Sequence, residues 1–391
     1  LIKATSNKIL FISNEASRSG APIVLLHLLN WLKQNTPLQF DILLLNGGPL
    51  QSEFKKLGDT YLLNELVNLH SYTNRFRKKV FKSDLNKKLK KVAAKLAKKQ
   101  YDLVYGNTIL SLPWLQLFKQ HHNLKTLCCI HELSFALNYC FAEAYLNENL
   151  NLTDGIIAVS AAVKDNLRYS YQIPEEKISL HYEFIDTNYQ SVEDTAVTRK
   201  SLNINKDVFI IGAGGTPEWR KGVDLALPLA LTLAEKHPDL NFKIAWLGAD
   251  QDSHHVKHLL YDAEKCGITD KFCFIPNSDK PLDIINLFDV FISLSREDPF
   301  PLIALEAAFL KKPVIAFEKS GGMPELLKQG AGFTVPYLDL DKAAAIIYQL
   351  SNDTALLKKT GTKAEELITS HYSTGNIAPE IYAEIMNLIA K

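Results

Sequence analysis

Short apolar runs alternate with amphipathic stretches along almost the whole chain. Runs at residues 9–13, 39–45, 103–105, 125–130 and 155–159 have the length of buried strands, and apolar residues at helical spacing follow most of them. The sequence Ser19-Gly20-Ala21-Pro22 opens the first such helix, which the spacing carries to about residue 33. A polar stretch at 183–199 interrupts the pattern, and strands then resume at 208–213, 242–247, 272–275, 290–293 and 314–317. Strand–helix alternation of this kind predicts parallel sheets with helices on both faces. The fold class expected is therefore α/β, with two doubly wound Rossmann-like domains joined near Asp186, residues 1–186 and 187–373. In such folds ligands bind at the carboxyl ends of the strands, here expected to face a shared central cleft.

Composition narrows the class. A chain of 391 residues is long for one core and suits two domains. No apolar run approaches the roughly 18 residues of a membrane-crossing helix, and no secretory leader is recognisable before the first strand. Five cysteines (Cys128, Cys129, Cys140, Cys266, Cys273) lack metal-ligand spacing and read as thiols of a reducing compartment, which points to the cytoplasm. Net charge is only +1, but residues 73–100 hold twelve Lys or Arg against the single acid Asp84. Leu85, Leu89, Val92 and Leu96 recur there at helical spacing, so residues 75–99 are expected to include an amphipathic basic helix. It suits either an anionic membrane surface or a solvated face whose apolar stripe packs on its own domain. Nucleic acid is disfavoured, because only Phe76 and Phe81 offer aromatics and no recognition motif accompanies the charge.

The chemistry concentrates at residues 291–327, where an apolar strand, a polar loop, a helix, a second strand and a glycine turn follow one another. Asp298 and Glu306 stand eight residues apart across the loop-to-helix junction. An ionised carboxylate accepts several hydroxyl hydrogen bonds, and the free N–H groups of a helix start attract anions. Together they suit a ligand with hydroxyls and phosphates, such as a sugar nucleotide. The bland alternative is that Glu306 serves its own helix dipole from the first turn. Gly20 would let a phosphate approach the backbone, or would simply serve a tight turn.

The segment SREDPFPLIALEA, followed by KKPVIAF and SGGMPEL, resembles the signature of the family-four retaining glycosyltransferases, which have the GT-B fold. Asp298, Pro299, Phe300, Glu306, Gly321, Gly322, Pro324 and Glu325 occupy the signature positions. Further matches extend over nearly the whole chain: Ser19-Gly20-Ala21-Pro22 at the first glycine loop, His131-Glu132 after a strand, IAVSAAVKDNL at 157–167 and Arg220-Lys221-Gly222. The resemblance implies GT-B architecture, with a donor-side second domain, an acceptor-side first domain, and the helical pattern 374–391 packing back on the first. It implies His131 beside the reacting centre and Asp298 on donor-sugar hydroxyls. Glu306 would hold the ribose, and Arg220 and Lys221 the departing diphosphate. Gly20, Ala21, Thr216, Asn277, Phe300, Pro301 and Leu302 would complete the donor site, with Asn107 and Glu325 as acceptor-side or auxiliary residues. No metal is expected, since no Asp-x-Asp cluster appears and the cations can neutralise the diphosphate.

Three departures limit the resemblance. Thr216 stands where the family has an arginine, Pro301 where it has a glycine, and 181–186 reads HYEFID in place of Asn-Gly-hydrophobic-Asp. The expected activity is transfer of a sugar from a UDP- or GDP-sugar to a glycan or lipid-linked glycan, in the cytoplasm or on the inner membrane face. The rivals are a sugar-nucleotide epimerase or phosphorylase of the same fold, and a non-catalytic nucleotide-sugar-binding protein.

Overall fold

The computed structural model describes residues 7–67, 81–189 and 199–391. Two compact units emerge: residues 1–183 together with Thr374–Lys391, and Phe184–Ser373. Of the polar break expected at 183–199, residues 190–198 lie outside the described residues.

The first unit is built on seven parallel strands: β1 (Lys8–Ser13), β2 (Gln39–Leu44), β3 (Asp59–Leu62), β4 (Leu103–Asn107), β5 (Lys125–Ile130), β6 (Gly155–Ala158) and β7 (Ile178–Leu180). Their order, β3-β2-β1-β4-β5-β6-β7, reverses direction between β1 and β4. The central strands are apolar on both faces because helices cover both: Ile9, Leu10, Phe11 and Ile12 are fully buried. Full burial of each such side chain contributes about 1.5–3 kcal/mol. The helix Gly20–Asn35 turns Leu25, Leu28, Leu29 and Leu32 into this core. Against it packs the last helix, Thr374–Ala390, with Trp31 and Tyr382 ring centroids 6.3 Å apart.

The second unit repeats the plan with six strands: β8 (Phe209–Gly214), β9 (Phe242–Leu247), β10 (Phe272–Ile275), β11 (Val290–Ser293), β12 (Val314–Phe317) and β13 (Gly332–Val335). Here the order is β10-β9-β8-β11-β12-β13, all parallel, with the reversal between β8 and β11. The loops that follow β8 and β11 leave the carboxyl ends of adjacent parallel strands at that point, which is where open α/β sheets take ligands.

The edge strands β3, β7 and β13 were not expected from the sequence. Each is short and largely half-exposed, so none carries the apolar run that marks β1 or β5. The basic helix spans Phe81–Ala97 and packs on the helices Leu112–His122 and Leu63–Val67. Val92 and Leu96 are buried, so the described part of the apolar stripe is used inside the unit. Lys87, Lys90, Lys91, Lys95 and Lys98 stay exposed, and none is ion-paired among the described residues. Phe76 and the first part of the basic stretch, 75–80, lie outside the described residues.

Candidate active site

The two loops at the reversal point of the six-stranded sheet are cross-braced. From the loop after β8, Lys221 Nζ donates to Asp298 Oδ2 at 2.5 Å, and Asp298 belongs to the loop after β11. Ser295 Oγ donates to the same carboxylate oxygen at 3.1 Å. Arg296 makes a two-pronged pair with Asp224 at 2.8 and 2.7 Å and donates to the Trp219 carbonyl at 2.7 Å. Its guanidinium also lies 4.9 Å from the centre of the exposed Trp219 ring. Arg220 turns its guanidinium onto the Glu297 carbonyl at 3.0 Å, while the Arg220 carbonyl accepts the Arg296 amide. Loop closure depends on Gly222: its φ is +75°, and a Cβ there would stand 2.0 Å from the Leu294 carbonyl oxygen.

This lattice sorts the cations. Lys221 ends on a carboxylate at the carboxyl edge of the sheet, so its ammonium belongs to the site. Arg220 is committed to the backbone of the neighbouring loop. Thr216 is exposed, and its carbonyl accepts the Glu218 amide. Asn277, exposed in the loop after β10, has its Oδ1 3.3 Å from where a Gly248 Cβ would sit, and the Gly215 carbonyl is equally close to that point. Loops after β8, β9 and β10 therefore converge where Asn277 and Thr216 lie.

Beyond Asp298 the chain enters the helix Leu302–Phe309. Pro301 is its N-cap residue, and the Pro301 carbonyl accepts the Ala304 and Leu305 amides at 3.0 and 3.3 Å. Phe300 is buried with its ring 5.5 Å from that of Tyr372, and Leu302 is buried as well. Glu306 is the fifth residue of this helix, past the first turn, so the helix dipole does not account for it. One turn earlier Ile303 packs over Gly214 at the end of β8, and residues three apart share a helix face. Glu306 is half-buried on that face, and the water it loses there pushes its carboxyl up to about 8. Among the described residues, its carboxylate has no hydrogen-bond or ion-pair partner. The Asp298 amide donates to Ser320 O at 2.6 Å and the Gly322 amide to Pro299 O at 2.9 Å. Those bonds bring in the loop after β12, with half-buried Glu325 on the short helix Met323–Leu326.

In the first unit, the matching reversal point lies between β1 and β4. Gly20 and Ala21 begin the helix after β1, with no side chain capping its opening amides. Asn107, the last residue of β4, donates from Nδ2 to the Ala21 carbonyl at 3.0 Å. Its Oδ1 lies 2.9 Å from Nε2 of His131, while His131 Nδ1 lies 2.9 Å from Oε1 of Glu183. Burial alone would push this imidazole down; the Cys129 thiol and the Glu183 carboxylate outweigh it and hold the ring well above its ordinary value. Glu132 accepts the amides of His131 and Ile109 and is pushed up by burial. Between Asn107 and Ile109, Thr108 adopts φ +80°, ψ 159°, a strained conformation for a β-branched residue.

The structure thus gathers Lys221, Asp298, Thr216, Asn277, Phe300, Pro301, Leu302, Glu306 and Glu325 along one sheet edge of the second unit. Gly20, Ala21, Asn107 and His131 gather in the first. Ser295, Arg296 and Asp224 escaped sequence reasoning, as did the partnership of Glu183 with His131. Nothing local joins residues 52 or 72 positions apart, although Arg296 directly precedes Glu297-Asp298 in the conspicuous segment.

Comparison with known proteins follows the same division. Residues 18–189 match the family described as Glycosyltransferase Family 4, and residues 194–367 match Glycosyl transferases group 1. An uncharacterised glycosyltransferase of Methanocaldococcus jannaschii is 25% identical over 247 residues, 60% of this chain and 61% of its own. The D-inositol 3-phosphate glycosyltransferase of Streptomyces bingchenggensis is 26% identical over 68% of this chain and 62% of its own. The chain thus spans about three-fifths of the length of these curated relatives. Among solved structures, Anabaena HepE in complex with UDP superposes with a TM-score of 0.80 at 20% identity, covering 97% of this chain and 100% of that one. That likeness makes the fold GT-B.

Proposed function

This chain belongs to the family-4, group 1 glycosyltransferases, and from that premise we propose that it transfers a sugar, with retention, from a nucleotide-diphosphate sugar to a hydroxyl of a glycan or lipid-linked glycan. The observation that carries the proposal is Glu306: a half-buried carboxylate with no hydrogen-bond or ion-pair partner among the described residues, on the helix that leaves the Lys221–Asp298 brace. A half-buried carboxylate short of water is satisfied when it accepts an incoming pair of ribose hydroxyls. Asp298 would hold sugar hydroxyls and hand Lys221 to the diphosphate, whose charge grows as the glycosidic bond breaks. The scheme uses no metal ion: Lys221 and the opening amides of the helix Leu302–Phe309 meet the developing charge. In a retaining transfer the acceptor attacks on the face from which the diphosphate leaves, and a phosphate oxygen takes its proton. Asp298 and Glu306 are then donor-holding groups, not a hydrolytic acid/base pair. That HepE has been solved with UDP and with UDP-glucose favours a UDP-linked donor.

A thermal-shift screen of UDP-, GDP- and ADP-sugars tests this reading, since a ligand stabilises by RT ln(1 + [L]/Kd). At about 100 Kd of the right donor, the expected stabilisation is roughly 2.7 kcal/mol. Absence of a shift with every donor would remove the donor assignment. A shift without glycosyl product from any acceptor would favour the non-catalytic binding protein.

We further propose that the exposed lysines of the basic helix hold the protein at an anionic membrane surface on the cytoplasmic side. Val92 and Leu96 are buried in the domain, so the attraction from this part of the helix is electrostatic and worth on the order of 1 kcal/mol per lysine. Binding to phosphatidylserine vesicles should exceed that to neutral vesicles, fall with salt, and be lost in a Lys90→Glu/Lys91→Glu/Lys95→Glu variant. Equal, negligible sedimentation with both vesicle types would end this part of the proposal.

A further inference from the structure

The His131 imidazole is held at both nitrogens by groups of fixed character. Asn107 Nδ2 donates to Ala21 O, which turns Asn107 Oδ1 toward the ring, and an amide oxygen only accepts. Nε2 therefore carries a proton. On the other side, Nδ1 faces Glu183 Oε1 at 2.9 Å, an approach that requires one proton between them. Both side chains are nearly shut from water, 5% and 7% exposed. Around the ring, Cys129 contributes from β5, Tyr105 lies against Cys129 from β4, and Glu132 follows His131 in the chain.

We propose that Glu183 is a positioning residue for the transfer reaction: it holds His131 as a doubly donating imidazolium, which fixes Asn107 and, through it, the Ala21 carbonyl at the first turn of the helix Gly20–Asn35. The proposal rests on the transferase reading for its link to turnover, but not for the state of the ring. His131 has no free nitrogen lone pair in this arrangement and does not serve as a general base. Its protonation instead sets the geometry of the glycine loop. The strained Thr108 between Asn107 and Ile109 marks how tightly this corner is determined, with Glu132 gripping the Ile109 amide. When the proton shared with Glu183 leaves at alkaline pH, the Nδ1 lone pair faces the carboxylate, and the two repel.

Glu183→Gln separates charge from shape. The glutamine amide can donate to Nδ1, leaving the neutral Nε2–H tautomer that Asn107 requires. Glu183→Ala gives Nδ1 no partner. Selective 15N-histidine labelling, with the His131 signals assigned by loss in His131→Asn, reads the ring directly. The wild-type ring should be protonated at both nitrogens through neutral pH and lose one proton only at alkaline pH. The Glu183→Gln ring should be the Nε2–H tautomer throughout the neutral range. In turnover, Glu183→Ala should lower kcat on the order of tenfold to a hundredfold, as a misplaced loop does, with donor KM little changed. Glu183→Gln should recover much of that loss and flatten the alkaline limb of the wild-type pH profile.

A wild-type ring that titrates near 6.5, or that titrates alike in wild type and Glu183→Gln, would overturn the proposal. So would an alkaline limb unchanged by Glu183→Gln. Should the wild-type protein turn over no donor, the transferase reading falls while the labelled spectra still decide the state of the pair.

Discussion

Replacing Lys221 with alanine is expected to lower the rate of sugar transfer by about 10²–10³-fold, the cost of removing one preorganised group aimed at developing charge. Two features make this residue the most exposed to substitution. Its usual family companion is absent, since Thr216 stands at that position, and Arg220 is turned onto the Glu297 carbonyl. Lysine is also the residue that fits: its stem runs past Gly215, where even a Cβ would come within 3.2 Å of Lys221 Cε. Arginine carries a broad planar fork in place of a compact ammonium, so Lys221→Arg is expected to rescue little. Alanine also strips Asp298 of its ion-pair partner while the carboxylate stays buried, at a cost of about 3–5 kcal/mol in stability. Adding Asp298→Asn removes the stranded charge. The double variant should regain most of the lost stability in urea unfolding and none of the lost rate. Full activity in Lys221→Ala would move the diphosphate elsewhere.

The fold was legible because the central strands β1, β4, β5, β8, β9 and β11 are buried on both faces, and a strand covered twice is written as an unbroken apolar run. Edge strands are covered less, so Asp59–Leu62 and Gly332–Val335 read as loop. The site was legible where its residues are neighbours in sequence, as Asp298, Phe300 and Glu306 are. It was illegible where side chains meet across the sheet. No local pattern couples Arg296 to Asp224, or His131 to Glu183, because parallel topology brings them together through intervening helices. His131 illustrates the difference. Its place at the end of an apolar strand pointed to a side chain facing a ligand, yet both ring nitrogens bond within the unit. Glu306 shows the converse: the sequence left helix-dipole service open, and only the packing of Ile303 on Gly214 shows that this half-buried helix face lies over the end of β8.

Glu306→Gln is expected to make the protein more stable and, at the same time, nearly unable to hold its donor. The stability half follows from linkage. A carboxyl ordinarily titrating at 4.5 is held at about 8 in the folded chain, so between those values the folded state keeps a proton that the unfolded state has released. Stability contributed by that proton is complete below 4.5, declines as pH rises, and is gone above about 8, where the half-buried carboxylate is charged. Glutamine keeps the shape and removes the ionisation. Its advantage should be absent near pH 4 and reach on the order of a few kcal/mol at pH 9, read as a rise in Tm. The binding half has the opposite sign. If ribose hydroxyls donate to the ionised carboxylate, donor affinity should rise with pH up to about 8, by at most about tenfold per pH unit, and binding at pH 7 should release a proton. Calorimetry in buffers of different ionisation enthalpy measures that release. Losing two charge-assisted hydrogen bonds at about 1.5–3 kcal/mol each should weaken the donor by at least 10²-fold in Glu306→Gln. A group that serves folding loses stability when replaced, whereas one held against its own solvation for a ligand gains it. A less stable Glu306→Gln with unchanged donor affinity would therefore make Glu306 a structural residue and leave the donor without its ribose anchor.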